Sequence, residues 1–197
     1  GSILDCKKSG KVFMHLIKLD KGSLKIDDKI EVNVNKEKRV KTESHHSATH
    51  LVHAALKIVL GDHVKQKGSL VDEHKLRFDF SHDESLSEKE ISEIEQLVNQ
   101  EILRNTMVST KIMDLDEAMN SGAESLFGEK YDDEVRVISI GKDDFSLELC
   151  GGTHIARTGD LGIFIITSQS SVASGVRRIE ALSGPKAQEY LASIKNQ

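Results

Sequence analysis

Apolar positions recur along this chain with two different periods, and the change from one to the other divides it. Residues 11–18 (KVFMHLIK) and 30–34 (IEVNV) alternate or cluster apolar side chains around an Asp-Lys-Gly-Ser turn at 20–23 and a second turn at Asp27-Asp28. This pattern predicts β-strands of a small partial barrel. A charged stretch from Asn35 to Glu43 reads as a link. From Ser44 the period becomes helical: Leu51, Val52, Ala55, Leu56 and Val59 fall on one stripe, and Gly61 is placed to end the helix.

Further on, LRFDF at 76–80 alternates as a strand. Ser87 with Glu90 three residues later predicts a capping box, ahead of a helix bearing Ile91, Ile94, Leu97, Val98 and Ile102 on one face. Strand patterns follow at 108–113, 134–140, 145–149, 161–167 and 175–182, with helices near 115–120 and from Pro185 to Lys195. Strands and helices mix without regular βαβ alternation, so the expected class is α+β. The expected division is a partial β-barrel over 1–41, a main domain over 42–184 and the start of a linker helix over 185–197.

Composition narrows the partners. Apolar residues are 38% and charged residues 30% of the 197, and no apolar run approaches the ~20 residues of a membrane span; no membrane partner is expected. A formal charge of −5 argues against wrapping long nucleic acid, yet leaves room for a small contact at local basic groups such as Arg177 and Arg178. Cysteines are only two, Cys6 and Cys150, which points to a reducing, cytoplasmic setting and to thiol or metal chemistry. Gly1 and Ser2 are read as an appended start, outside the fold.

The candidate chemistry lies in two motifs. On the first helix His46, His50 and His53 fall within roughly 60° of one another, on the side opposite the apolar stripe, and so are expected to face a cleft or partner. One hundred residues after His50 comes Cys150-Gly151-Gly152-Thr153-His154, where Gly-Gly permits a sharp turn. Either motif alone is weak, since a lone Cys is more often a small buried hydrophobe. Together they offer three nitrogens and one sulfur, a set suited to tetrahedral Zn²⁺. A metalloprotease is excluded because Ser47 stands where His-Glu-x-x-His requires Glu, and a cytidine deaminase because Pro-Cys-x-x-Cys and His-x-Glu are missing. Cys150 as a nucleophile would lack a base beyond the same histidines.

HSATHLVHAAL at 46–56, HVKQKGSLV at 63–71, LRFDFSH at 76–82, LFGEKYDDEVRV at 126–137, LCGGTHIARTGDLG at 149–162 and SGVRRIEALSG at 174–184 together resemble the editing domain of bacterial alanyl-tRNA synthetases, in the family's order. The resemblance implies a fold of the threonyl/alanyl-tRNA synthetase editing type, in a piece of a longer synthetase chain. It implies hydrolysis of seryl- and glycyl-tRNA formed in error on the alanine tRNA, whose 3′ acceptor end would be the partner. It also assigns one zinc to His46, His50, Cys150 and His154; His45 departs from the Asn often found before the first ligand.

A pocket for alanine rejects an added hydroxyl or a missing methyl by only ~10²-fold, which is why a second hydrolytic site is needed. Serine is larger than alanine, so the editing pocket should offer its hydroxyl a partner. Candidates are Thr49, Gln66 and Ser69, with Gln66 and Gly68 matching the family's QKGS stretch; taken alone, QKGSL reads as a turn after a helix. Gln66 and His53 are the candidate catalytic groups, and of Arg177 and Arg178 one is expected to hold a tRNA phosphate and the other an internal carboxylate.

Overall fold

A computed structural model describes residues 1–10, 12–125 and 131–195, so the first five residues of the 126–137 block lie outside the described residues. The chain forms two compact units, Gly1–Val34 and Asn35–Gln197. In the first, β1 (Ser2–Ser9) and β2 (Val12–Lys18) make an antiparallel hairpin. Ser2 pairs with Lys18 at the open end of the hairpin. Residues 30–34 form no strand. Ile30, Val32 and Val34 are 52–63% exposed, because alternation yields a strand only where a neighbouring strand and a core exist to receive it. The described part of this unit is therefore a hairpin with an irregular extension, without a barrel.

The second unit opens with α1 (Lys36–Leu60), which begins eight residues before Ser44. The charged stretch is thus helix and not link. Asn35 caps it by accepting from Lys38 N at 3.0 Å, and Glu37 pairs with Lys41 one turn on at 2.6 Å. Lys, Glu and Arg are strong helix formers even without an apolar stripe to reveal the period.

Next come β3 (Gln66–Val71), β4 (Leu76–Ser81), α2 (Glu88–Arg104), β5 (Ser109–Asp114), α3 (Leu115–Asn120), β6 (Glu134–Ile140), β7 (Ser146–Leu149), β8 (Phe164–Ala173), β9 (Val176–Ser183) and α4 (Pro185–Lys195). The class is α+β. QKGSLV is strand β3 rather than a turn, with a bulge between Gln66 and Gly68. Antiparallel pairing builds a four-stranded sheet in the order β3-β4-β9-β8 and a three-stranded sheet in the order β5-β6-β7.

Helix α1 lies at the centre. Ala48, Leu51, Val52, Ala55 and Leu56 are fully buried in one cluster with Leu76, Phe78 and Phe80 of β4, Ile94 and Val98 of α2, and Ile138 and Ile140 of β6. The opposite face of β6 sends Val135 and Val137 into a second, smaller cluster with Ala118, Ala123 and Leu149. Within the histidine stripe His50 and His53 are buried, at 6% and 5% exposed, while His46 is half-buried, so the stripe reaches solvent only at its His46 end. No helix among the described residues is long and apolar enough to cross a membrane.

The predicted capping box is present on α2, where Ser87 Oγ accepts from Glu90 N at 3.2 Å and Glu90 Oε2 accepts from Ser87 N at 2.7 Å. Ser87→Ala should lower stability to urea by about 1 kcal/mol; an unchanged midpoint would contradict the assigned cap.

Candidate metal centre

Two distant segments meet at one point. His46 and His50 project from adjacent turns of α1, and β7 carries the chain to Cys150, from which a short turn leads to His154. One donor atom from each of the four lies within 4.8 Å of the others. Cys150 Sγ is 3.5 Å from His46 Nε2 and 3.4 Å from His154 Nε2. A tetrahedral metal with nitrogens at about 2.0–2.1 Å and sulfur at about 2.3 Å requires sulfur–nitrogen separations of about 3.6 Å, so these spacings fit such an ion.

The far side of each imidazole is held. His46 Nδ1 donates to Thr153 O at 3.1 Å, His154 Nδ1 meets Ser47 Oγ at 3.2 Å, and His50 Nδ1 lies 2.8 Å from Glu148 Oε2. All three rings therefore present Nε2 to the common point. His50 Nε2 is buried with no hydrogen-bond partner among the described residues, an orphan of the kind that a metal would satisfy.

The thiol is poised for the same use. Burial opposes ionisation of the Cys150 thiol, but contacts from His154, His46 and His50 outweigh it and bring its pKa down to about 3; metal ligation requires this thiolate form. Burial also opposes a charge on His50, and Glu148 and Cys150 reverse that, raising it to about 10; this is a proton that a metal would have to displace, since only neutral imidazole ligates. Burial disfavours the Glu148 carboxylate too, yet His50 and His53 hold it well below the usual range.

Glycine is needed in the turn for a reason that the sequence does not reveal. Neither Gly151 nor Gly152 has a positive φ. A Cβ on Gly152 would instead overlap the His46 ring, whereas one on Gly151 would meet nothing within 4 Å. Arg136 clamps the turn by donating to Cys150 O at 3.2 Å and also to Gly152 O. Sequence reasoning missed Arg136, Ser47 and Glu148. Glu148 left a signal: it is a lone acid in the apolar run FSLELC, two residues before Cys150 and so on the same strand face.

The remaining candidates lie outside the cluster. His45 Nδ1 turns to Asp72 O at 2.8 Å. His53 Nδ1 bonds Glu148 Oε1 at 3.0 Å, with its ring 5.2 Å from Phe78. Thr49 donates to His45 O within α1 at 2.9 Å. On β3, Gln66 Nε2 reaches Ser69 Oγ at 3.4 Å. A Cβ on Gly68 would come within 3.3 Å of Asp79 Oδ2, and Arg178 grips that same carboxylate through two bonds of 2.6 and 2.8 Å. Arg178 is therefore the arginine with the internal carboxylate, while Arg177 reaches Gln169 Oε1 at 3.4 Å.

Gly152→Ala should lower zinc retained per chain and cost about 1–3 kcal/mol through overpacking against His46, while Gly151→Ala leaves both unchanged. Metal analysis after dialysis and thermal melts check this; equal behaviour of the two variants would contradict the steric account.

Comparison with known proteins adds the lineage. Residues 135–180 match the family described as the threonyl and alanyl tRNA synthetase second additional domain. The chain is 55% identical over 190 residues to the alanine–tRNA ligase of Ruthia magnifica subsp. Calyptogena magnifica, covering 96% of the chain. It is 54% identical over 192 residues, 98% of the chain, to the alanine–tRNA ligases of Francisella philomiragia subsp. philomiragia and Psychromonas ingrahamii. In each case the chain spans 22% of the relative's length. Through that stretch, which carries the second additional domain, the chain belongs to the alanyl-tRNA synthetase family.

Proposed function

We propose that this chain is the editing module of an alanyl-tRNA synthetase, an aminoacyl-tRNA deacylase that hydrolyses seryl- and glycyl-tRNA mischarged on the alanine tRNA. In this reading its partners are the 3′ acceptor end of that tRNA and the rest of the synthetase chain, and it works in the cytoplasm. The observation that carries the reading is the convergence of His46, His50, Cys150 and His154 within 4.8 Å, in a chain 54–55% identical to alanine–tRNA ligases.

The residues present fit Zn²⁺, with three imidazole nitrogens and one thiolate as its ligands. When bound, zinc with four protein ligands supplies a fixed positive centre that organises the site and orients the tRNA's terminal adenosine or the substrate amine, with no open position for making hydroxide.

The remaining work falls to the chain's own polar groups. The bond broken is an aminoacyl ester whose leaving group is a ribose hydroxyl, so water attack needs positioning and a proton acceptor more than a strong nucleophile. Gln66 is assigned to the substrate's reacting end, with Ser69, its hydrogen-bond partner at 3.4 Å, and Thr49 offering polar contacts to the serine hydroxyl. Gly68 keeps β3 free of a side chain beside Asp79, which Arg178 already neutralises. That leaves Arg177 as the better placed of the two arginines for tRNA. His53, 5% exposed and bonded to Glu148, is assigned a supporting role and not proton transfer at the ester.

Deacylation of seryl-tRNA on the alanine tRNA tests the reading. Wild-type protein should release serine well above the spontaneous rate. Cys150→Ala should lose zinc together with at least about tenfold of the activity, and Gln66→Ala should lose activity with zinc retained. Wild-type protein that binds the mischarged tRNA and leaves the ester intact would show a tRNA-binding zinc module without catalysis.

A further inference from the structure

Glu148 is an acid in the interior, 7% exposed, with no lysine or arginine bonded to it among the described residues. Its partners are two imidazoles and a hydroxyl: Oε2 lies 2.8 Å from His50 Nδ1, while Oε1 lies 3.0 Å from His53 Nδ1 and accepts from Ser146 Oγ at 3.2 Å. Burying a carboxylate this way is costly unless its oxygens are satisfied, so the arrangement needs a reason. Packing does not supply it, for an apolar side chain would fill the same space.

We propose that Glu148 is a positioning residue shared by two histidines, so that zinc affinity depends on His53 although His53 contributes no atom to the ligand cluster. The inference rests on the zinc reading given above. An ionised carboxylate only accepts hydrogen bonds: His53 turns Nδ1–H onto Oε1 in an aligned bond, and His50 Nδ1 stands at ion-pair distance, 2.8 Å, from Oε2 without that alignment. For His50 this fixes Nε2 as the lone pair aimed at the metal. For His53 it fixes a ring otherwise set against Phe78 at 5.2 Å, with its own Nε2 buried and unpartnered among the described residues.

The backbone beneath the carboxylate is pinned on both sides: Glu148 pairs with Ile138 of β6 and bridges Glu124. Side-chain rotation is then the main freedom left to Glu148. His53 restricts it by holding Oε1 while Oε2 faces His50. His50 and His53, three residues apart on α1, close a rigid triangle with a strand residue that lies two positions from the ligand Cys150. Replacing His53 releases one oxygen and loosens His50 in turn.

Zinc affinity measured by chelator competition tests this in the wild type, Glu148→Gln, His53→Phe and the double variant. Glu148→Gln should weaken zinc about 10–100-fold and His53→Phe several-fold, with the double variant no weaker than Glu148→Gln alone, as expected for residues acting through one path. In parallel, long-range nitrogen–proton NMR of the zinc-loaded wild type should find His50 and His53 each protonated at Nδ1, a readout that needs no variant to fold. Wild-type zinc affinity in His53→Phe, or a proton on Nε2 of His53, would overturn the inference. Failure of the underlying reading would look different, as wild-type protein that takes up no zinc, and would remove both.

Discussion

The site depends on orienting three imidazoles so that each offers the same nitrogen to one thiolate. A histidine ring is ambiguous by nature, having two nitrogens and free rotation about its bonds, and a ligand set built on three of them requires three separate restraints. Thr153 O, Ser47 Oγ and Glu148 Oε2 provide them. Each lies on the segment opposite the ring it holds: Thr153, just before His154, holds His46 of α1; Ser47 of α1 holds His154; and Glu148 of β7, two residues before Cys150, faces His50 of α1. The two segments are therefore cross-braced at the cluster.

The middle turns of α1, from Ser44 to Leu56, are largely buried. One side of the helix packs Leu51, Val52, Ala55 and Leu56 into the main core, and His50 and His53 are covered on the other. Polar groups in such a setting must be paired; among the described histidines of α1 the buried nitrogens without a hydrogen bond are both of His50, one in the cluster and one at ion-pair distance from Glu148, and Nε2 of His45 and of His53. The negative charge that the site needs, a thiolate and a carboxylate, is held by the histidines themselves.

Much of this was legible in the sequence because it is periodic or locally signalled. The capping box of α2, the alternation in β4, β6 and β9, and the i, i+4 spacing of His46 and His50 are all short-range patterns with a direct physical reading. What could not be read came from long-range pairing. QKGSLV is a strand because β4 is beside it, and residues 30–34 are not a strand because nothing is. The first turns of α1 carry charge without an apolar stripe, so periodicity passed over them although Asn35 and the Glu37–Lys41 pair mark a helix start. In the site, the four cluster residues were legible by type and spacing, whereas Arg136 and Ser47 act through contacts with residues 14 to 108 positions away. Gly152 was noticed for the wrong reason: its constraint is the ring of His46 and not the backbone angle.

The account stands on a closed set of three nitrogens and one sulfur. X-ray absorption at the zinc edge of the metal-loaded protein addresses it most directly. It should give one sulfur at about 2.3 Å and three nitrogens at about 2.0–2.1 Å, with this shell unchanged when a non-hydrolysable seryl-tRNA mimic is added. A shell without sulfur, or one in which an oxygen replaces a nitrogen in the resting protein, would contradict it.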